Sequence, residues 1–330
     1  MSGPPAPVAA VRVAVRRALT GPDAPEAGDL VLVACSGGAD SLALLAATTF
    51  EAPRAGFRAG AVVVNHGWSP DSASQAAVVG ELARSLGAEP VEVVAVSCDR
   101  SEDAARRARY AALDDTASRL GATRVLLGHT LDDQAETVLL GLARGSGARS
   151  LSGMAVRRDH YLRPLLGLRR RTLRDAVAAA NLEPWHDPAN DDPAFARTRV
   201  RHDVLPMLEQ ALGPGVVHAL GRTAELLSAD ADALDLWAAQ CDPGTPDVAV
   251  EQLLVLPAAV RRRVLRAMAL RAGAPASALN AGHVVALDAL LTEWHGQGPV
   301  ALPGALCGVR ACGRLAVIPL AAVQSDVTLS

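Results

Sequence analysis

Residues Leu30 to Phe50 read LVLVACSGGADSLALLAATTF, an apolar run that passes through Ser36-Gly37-Gly38-Ala39-Asp40-Ser41 into a helix-forming stretch. A short, continuous apolar run bounded by glycines predicts a strand buried on both faces, and the alanine/leucine stretch behind it predicts a helix. The adjacent glycines are expected to turn with positive φ and to bring main-chain N–H groups up to an anion. The helix N-terminus adds its partial positive charge. The turn is therefore expected to hold phosphate, the plain alternative being a glycine-rich strand-to-helix turn without a ligand. No GxxxxGK[ST] string occurs, and all 32 basic residues are arginine. Phosphate contacts thus fall to backbone and guanidinium groups, and lysine chemistry by the protein itself is excluded.

Working outward, three more apolar segments follow: AGAVVVNH (59–66), PVEVVAVS (90–97) and TRVLLGH (123–129). Helical patterns lie near 40–50, 72–87, 102–120 and 132–143. Such strands, each followed by a helix, specify a parallel sheet covered on both faces, an α/β domain of Rossmann-like type. In such sheets a ligand sits at the C-terminal strand ends. Those ends carry Ser36 to Ser41, then Asn65-His66-Gly67, then His129, so three segments are expected to converge on one crevice.

Past residue 145 the pattern changes. YLRPLL reads as a short strand, RRRTLRDAVAAANL as a helix and EPWHDPANDDPAF as a connection rich in proline and aspartate. From 216 onward three helical stretches (216–240, 257–272, 278–293) precede short strands between 299 and 319. The shift near Gly213-Pro214-Gly215 predicts a catalytic domain over 1–215 and a smaller, mainly helical domain with short terminal strands over 216–330.

Composition sets bounds. The 330 residues are 50% apolar and carry a net charge of −3, which argues against a uniformly basic surface for nucleic acid. Arginines nevertheless cluster at 157–158, 163, 169–171 with 174, 197–201, and 261–263 with 266; each cluster taken alone reads as a solvated helix face. Five cysteines, an odd number without a CxxC pair, argue against a disulfide framework or a zinc knuckle and fit a reducing cytoplasm. No stretch reaches the length of a membrane span, so a cytosolic protein without a membrane partner is expected.

A second motif begins at the end of the fourth strand: His129-Thr-Leu-Asp132-Asp133-Gln-Ala-Glu136-Thr137. Positions 129, 132, 133 and 136 follow i, i+3, i+4, i+7 and share one face once helical. Carboxylates side by side repel unless a cation intervenes. Mg²⁺ shared with ATP phosphates is one candidate and a substrate ammonium group the other. The plain alternative is an acid-rich first helical turn that favours the helix dipole.

The SGGADS turn resembles the pyrophosphatase loop of the N-type ATP pyrophosphatase (PP-loop) superfamily, and GHTLDDQAETVLLGLARGSG (128–147) resembles a signature of tRNA(Ile)-lysidine synthetases. Further matches are Ser101-Glu102 with Arg106, Arg109 and Tyr110, then Arg163-Pro164-Leu165-Leu166, Trp185-His186-Asp187 with Asn190 and Asp191, and Arg197-Thr198-Arg199-Val200-Arg201 with Pro206. Ser101 and Thr198 stand where the family usually has Asn, and Trp68 where Leu is common. Matches run from residue 30 to about 206, and the C-terminal third agrees only in general character.

The resemblance implies that ATP activates the wobble cytidine of tRNA(Ile) with a CAU anticodon, releasing pyrophosphate, and that free L-lysine then displaces AMP at C2. It implies an ATP cradle of Ser36, Gly37, Gly38, Ala39, Asp40 and Ser41, Mg²⁺ on Asp40 and Asp133, and a lysine ammonium near Asp132, Asp133 and Glu136. Arg106, with Arg197 or Arg201, would face the α-phosphate, and His129 would take part in catalysis. Which acid takes metal and which takes lysine stays open. C-terminal arginines would contact tRNA phosphates, Trp68 and Trp185 are candidate stacking platforms, and the oligomeric state is open, a homodimer included. A PP-loop tRNA pyrimidine thiolase and a non-catalytic ATP-binding module are the competing expectations.

Overall fold

The computed structural model describes residues 3–21, 24–67, 71–99, 101–186 and 191–322. Trp68, Asp187 and Asn190 lie outside the described residues. The chain divides into two compact units, Met1–Ser228 and Ala229–Ser330, and the division falls within one long helix, Val216–Cys241.

In the first unit the elements run α1 (Ala6–Thr20), β1 (Leu30–Ala34), α2 (Ala39–Glu51), β2 (Arg58–Asn65), α3 (Ser72–Ser85), β3 (Val91–Ala95), α4 (Glu102–Leu120), β4 (Ala122–Leu126) and α5 (Leu131–Ala143). A short helix α6 (Ala148–Leu151), the two-residue strands β5 (Arg157–Arg158) and β6 (Tyr161–Leu162) and helix α7 (Arg170–Ala179) follow. The sheet order is β3-β2-β1-β4-β6-β5, parallel except where β5 meets β6. The first strand is apolar without alternation because both faces are covered. Val31 and Val33 pack in the cluster that holds residues of α1, α2, α3 and α7, whereas Leu30 and Leu32 pack in the cluster that holds Leu113 and Ala117 of α4.

Strand order fixes the site. From β1 the chain moves outward to β2 and β3, then returns to place β4 on the other side of β1, so the order reverses between β1 and β4. Loops diverge at such a reversal and leave a crevice at the strand ends. The loop after β1 holds residues 35–38 and the loop after β4 holds 127–130. Gly128 permits their close approach, since a Cβ there would lie 3.2 Å from the Asp40 carbonyl and 3.3 Å from Ser41 Cα.

After α7 come a short helix α8 (Ala196–Arg199), a π-helical turn (Val200–Val204) and α9 (Leu205–Leu212), followed by α10, the helix Val216–Cys241. The second unit holds β7 (Asp247–Ala249), α11 (Val250–Leu254), α12 (Ala258–Arg271), α13 (Ala281–Thr292), β8 (Val300–Leu302), β9 (Leu306–Ala311) and β10 (Arg314–Pro319). Its strands form an antiparallel sheet, β7-β10-β9-β8, over its own core of Val260, Val264, Leu265, Leu287 and Leu315. Among the described residues no helix is long and apolar enough to cross a membrane.

Candidate active site

The glycine turn differs from expectation at one of its two residues. Gly37 has φ +82°, but Gly38 is the N-cap of α2 with φ −72° and ψ 161°, a conformation open to any residue. Gly37 is hemmed in as well: a Cβ would overlap Cγ2 of Val79 on α3. Its carbonyl accepts from the Trp185 N–H at 2.9 Å, so the segment carrying Trp185 backs the turn. The N-cap of α2 makes no side-chain capping bond, which leaves the first N–H groups of the helix without a side-chain acceptor.

Ser41 turns inward. Its hydroxyl donates to the Gly38 carbonyl at 2.9 Å and accepts from the Ser36 N–H at 3.2 Å, with the Ser36 hydroxyl 3.3 Å away. Ser41 thus shapes the cradle from below, and the hydroxyl nearer the surface is that of Ser36.

Asp40 sits in the first turn of α2. Its Oδ2 lies 3.4 Å from Arg170 Nε, while its Oδ1 is buried without a hydrogen-bond partner. Burial pushes the carboxyl up to about 6; the Asp133 charge adds to the rise and Arg170 opposes it.

The acidic motif starts helix α5 with Thr130 as N-cap, so His129 precedes the helix and does not share its face. Asp133 closes a capping box: its Oδ2 accepts from the Thr130 N–H at 2.8 Å and the Thr130 hydroxyl at 2.6 Å. Its Oδ1 receives Arg170 Nη2 at 2.7 Å and lies 3.4 Å from Arg201 Nη2. Burial alone would raise this carboxyl, but Arg170 and the Thr130 bonds outweigh it and leave it below the usual carboxylate range.

Asp132 and Glu136 are engaged in ways their spacing does not reveal. Asp132 accepts both oxygens' worth of donors from elsewhere: Arg169 Nε reaches each oxygen at 3.2 Å, and the Arg170 backbone N–H donates to Oδ2 at 2.7 Å. It therefore caps α7, whose own N-cap, Arg169, supplies no capping side chain. Glu136 is fully buried beneath Arg170 (3.1 Å), Arg201 (2.8 Å) and Arg197 (3.6 Å). The acids that sequence spacing left facing an outside cation are here faced by guanidinia of the chain itself.

The remaining expected residues line the same region. Arg197 also donates to the Thr137 hydroxyl at 3.2 Å. Thr198, in the place of the usual Asn, is buried, and both Arg197 and Arg201 stay docked on Glu136. His129 has a buried Nδ1 without a partner, and burial, with nearby Arg163, Arg106 and Arg197, lowers its imidazole to about 4. Arg106 is exposed on α4, its guanidinium 5.0 Å from the Tyr110 ring and donating to the Tyr110 hydroxyl at 3.4 Å. Arg109 donates to His66 at 3.4 Å.

Sequence reasoning missed Arg169 and Arg170, which read as a surface cluster. One signal was present: two cations at a helix N-terminus oppose the helix dipole, an arrangement that calls for acids from another element. Arg171 and Arg174 of the same run are exposed as expected.

A PP-loop domain model matches residues 12–208 and a TilS substrate binding domain model matches residues 249–315. The tRNA(Ile)-lysidine synthase of Thermobifida fusca (strain YX) is 58% identical over 324 residues, with 96% of this chain and 99% of the relative covered. That of Streptomyces coelicolor is 51% identical with the same coverage of each. The chain belongs to the tRNA(Ile)-lysidine synthase family. This family member also shares its fold with the U34-tRNA thiolase NcsA from Methanococcus maripaludis, at TM-score 0.53 and 20% identity over 67% of this chain and 80% of the other. At that identity the likeness concerns architecture alone.

Proposed function

We propose that the crevice uses ATP to adenylate the wobble cytidine of tRNA(Ile) with a CAU anticodon and then joins free L-lysine to its C2. Cytosine O2 attacks the α-phosphate and the bond to the β-phosphate breaks, releasing pyrophosphate. The uncharged ε-amine of lysine then attacks C2, loses a proton, and AMP leaves with O2. One observation carries this reading: the glycine cradle and the acid-and-arginine cluster meet at the same sheet reversal, joined by the Arg170 contacts to Asp40 and Asp133.

The uncapped start of α2 and the turn at Gly37 hold the departing pyrophosphate through backbone N–H groups, with the Ser36 hydroxyl beside them. Arg197 and Arg201, anchored on Glu136, and Arg106 offset charge on the α-phosphate. Asp132, Asp133 and Glu136 all brace arginines, and the oxygen we assign to the lysine ammonium is Asp133 Oδ1, which the ammonium would share with Arg170 and Arg201. His129 is neutral at physiological pH, and its free Nδ1 is a hydrogen-bonding point for substrate.

Mg²⁺ fits this donor set at Asp40, whose buried Oδ1 lacks a partner and whose carboxylate is disfavoured by burial and by the Asp133 charge, a deficit that a cation would relieve. Asp133 Oδ1, the second candidate, is held by Arg170 at 2.7 Å, so Asp40 is the carboxylate with a free oxygen for the metal. A Mg²⁺ held there would supply neutralising charge to the triphosphate. In the second unit Arg261, Arg262 and Arg263 are paired with Asp288 and Asp235, and Arg266 is exposed, so we assign tRNA phosphate contact first to Arg266.

Incubation with Mg·ATP, radiolabelled lysine and a tRNA(Ile) transcript bearing CAU is expected to place label in the RNA, and a wobble C→U change to abolish it. Unlabelled RNA, or label that ignores the wobble base, overturns the reading.

A further inference from the structure

Among the described residues, Asp40 of the phosphate loop has one ion-pair partner, Arg170, and that partner is also shared with the acidic helix. Among the described residues, the ion pairs of Arg169 are to Asp132, and those of Arg197 and Arg201 are to acids of α5. The guanidinium of Arg170 divides its donors: Nε faces Asp40 Oδ2 at 3.4 Å, and Nη2 faces Asp133 Oδ1 at 2.7 Å and Glu136 Oε1 at 3.1 Å. It is mostly buried, and its backbone is pinned by the Asp132 carboxylate at 2.7 Å, so the fork is fixed at its root and at both tips.

The consequence is geometric. With Oδ2 drawn toward Arg170, Asp40 keeps Oδ1 buried and without a hydrogen-bond partner in the first turn of α2, next to the glycine turn. Without that guanidinium, Asp133 and Glu136 would keep Arg201 and Arg197, but Asp40 would lose its ion-pair partner and face the Asp133 charge in a poorly solvated place, and would turn away. A lysine at 170 would carry one compact ammonium, which cannot hold two carboxylate groups in a planar fork.

We propose that Arg170 is a positioning residue of the activation step, a tie that aims Asp40 at the triphosphate by fastening it to the acidic helix. This rests on the adenylation reading above. Three full-length proteins test it: the parent, Arg170→Lys and Arg170→Met, each checked for folding by thermal melting. The readout is tRNA-dependent pyrophosphate release without lysine, with kcat and KM for Mg·ATP determined separately.

The parent must release pyrophosphate only with tRNA; if it does not, the adenylation reading fails and not the role of Arg170. Given an active parent, we expect folded Arg170→Lys to lose about tenfold in kcat and folded Arg170→Met about a hundredfold, with KM within about threefold, because the orientation of a reacting group is lost and not the cradle. If Arg170→Met does not fold, Arg170→Lys decides. A kcat within about threefold of the parent in folded Arg170→Lys overturns the proposal, as does a fall expressed in KM alone.

Discussion

At the scale of single residues, the two glycines of the turn separate structural need from ligand need. Gly37 is in the left-handed region and faces Val79, so Gly37→Ala meets a backbone strain of roughly 1–2 kcal/mol and an overpacking term of about 1–3 kcal/mol. Its thermal midpoint should fall on the order of 10 °C. Gly38 has an ordinary φ, and a Cβ there would have no protein atom nearer than 3.7 Å. Gly38→Ala should melt like the parent yet bind ATP more weakly, since the new methyl enters the space where phosphate approaches; equal ATP affinity in a calorimetric titration would refute the cradle. Both glycines were legible in the sequence as a turn, but their different conformations were not, because φ at Gly38 is set by its place as N-cap. The acids were equally legible at 132, 133 and 136. Their partners were not, since Arg169, Arg170, Arg197 and Arg201 lie more than 30 residues away and local spacing carries no trace of a long-range ion pair.

At the scale of elements, apolar runs announced β1 to β4 to within a few residues, including the edge strand β3, which is only partly covered, whereas β5, at two residues, and β7, at three, are too short to carry a period. The arginine run of α12 shows how an element can mislead. Arg261 reads as one of a solvated triplet, yet it is buried and donates to Asp288 of α13 at 2.5 Å, with Arg262 on the second oxygen at 2.8 Å. Burial by itself would raise the Asp288 carboxyl, but the two arginine hydrogen bonds hold it below the usual carboxylate range. Because its folded pKa is depressed, the stability it contributes is present above the unfolded value of about 3.9 and is lost as pH falls through the folded one. Asp288→Asn leaves Arg261 buried without its counter-ion, at a cost of about 3–5 kcal/mol near neutral pH. Denaturant unfolding of the full chain should show that deficit unchanged from pH 7 to pH 5 and shrinking below about pH 4, where the parent carboxyl takes up a proton and comes to resemble the amide. A deficit that persists undiminished into acid would mean the pair is held by packing and not by charge.

At the scale of the whole molecule, a chain of 330 residues without a single lysine is to bring a lysine amine to an activated base. No side-chain amine of the protein can compete for that electrophile, and the cationic side chains paired with the acids of the crevice are guanidinia, which stay protonated throughout the working range. Reagents selective for the two cations should therefore act in opposite ways. Treatment of the enzyme with an amine-reactive ester, followed by desalting and assay with fresh lysine, should leave turnover within about twofold of the untreated protein, since a modest rate change of that size is all that loss of one terminal charge would bring. An arginine-selective dicarbonyl should abolish turnover, because Arg197 and Arg201 keep 28% and 26% of their side chains exposed while holding Glu136. Mg·ATP should slow that loss if those guanidinia lie against the triphosphate, and mass mapping should then find 197 and 201 among the protected positions. Inactivation by the ester, or dicarbonyl modification of 197 and 201 that bound nucleotide does not slow, would place the phosphates somewhere other than between the glycine cradle and the arginines docked on the acidic helix.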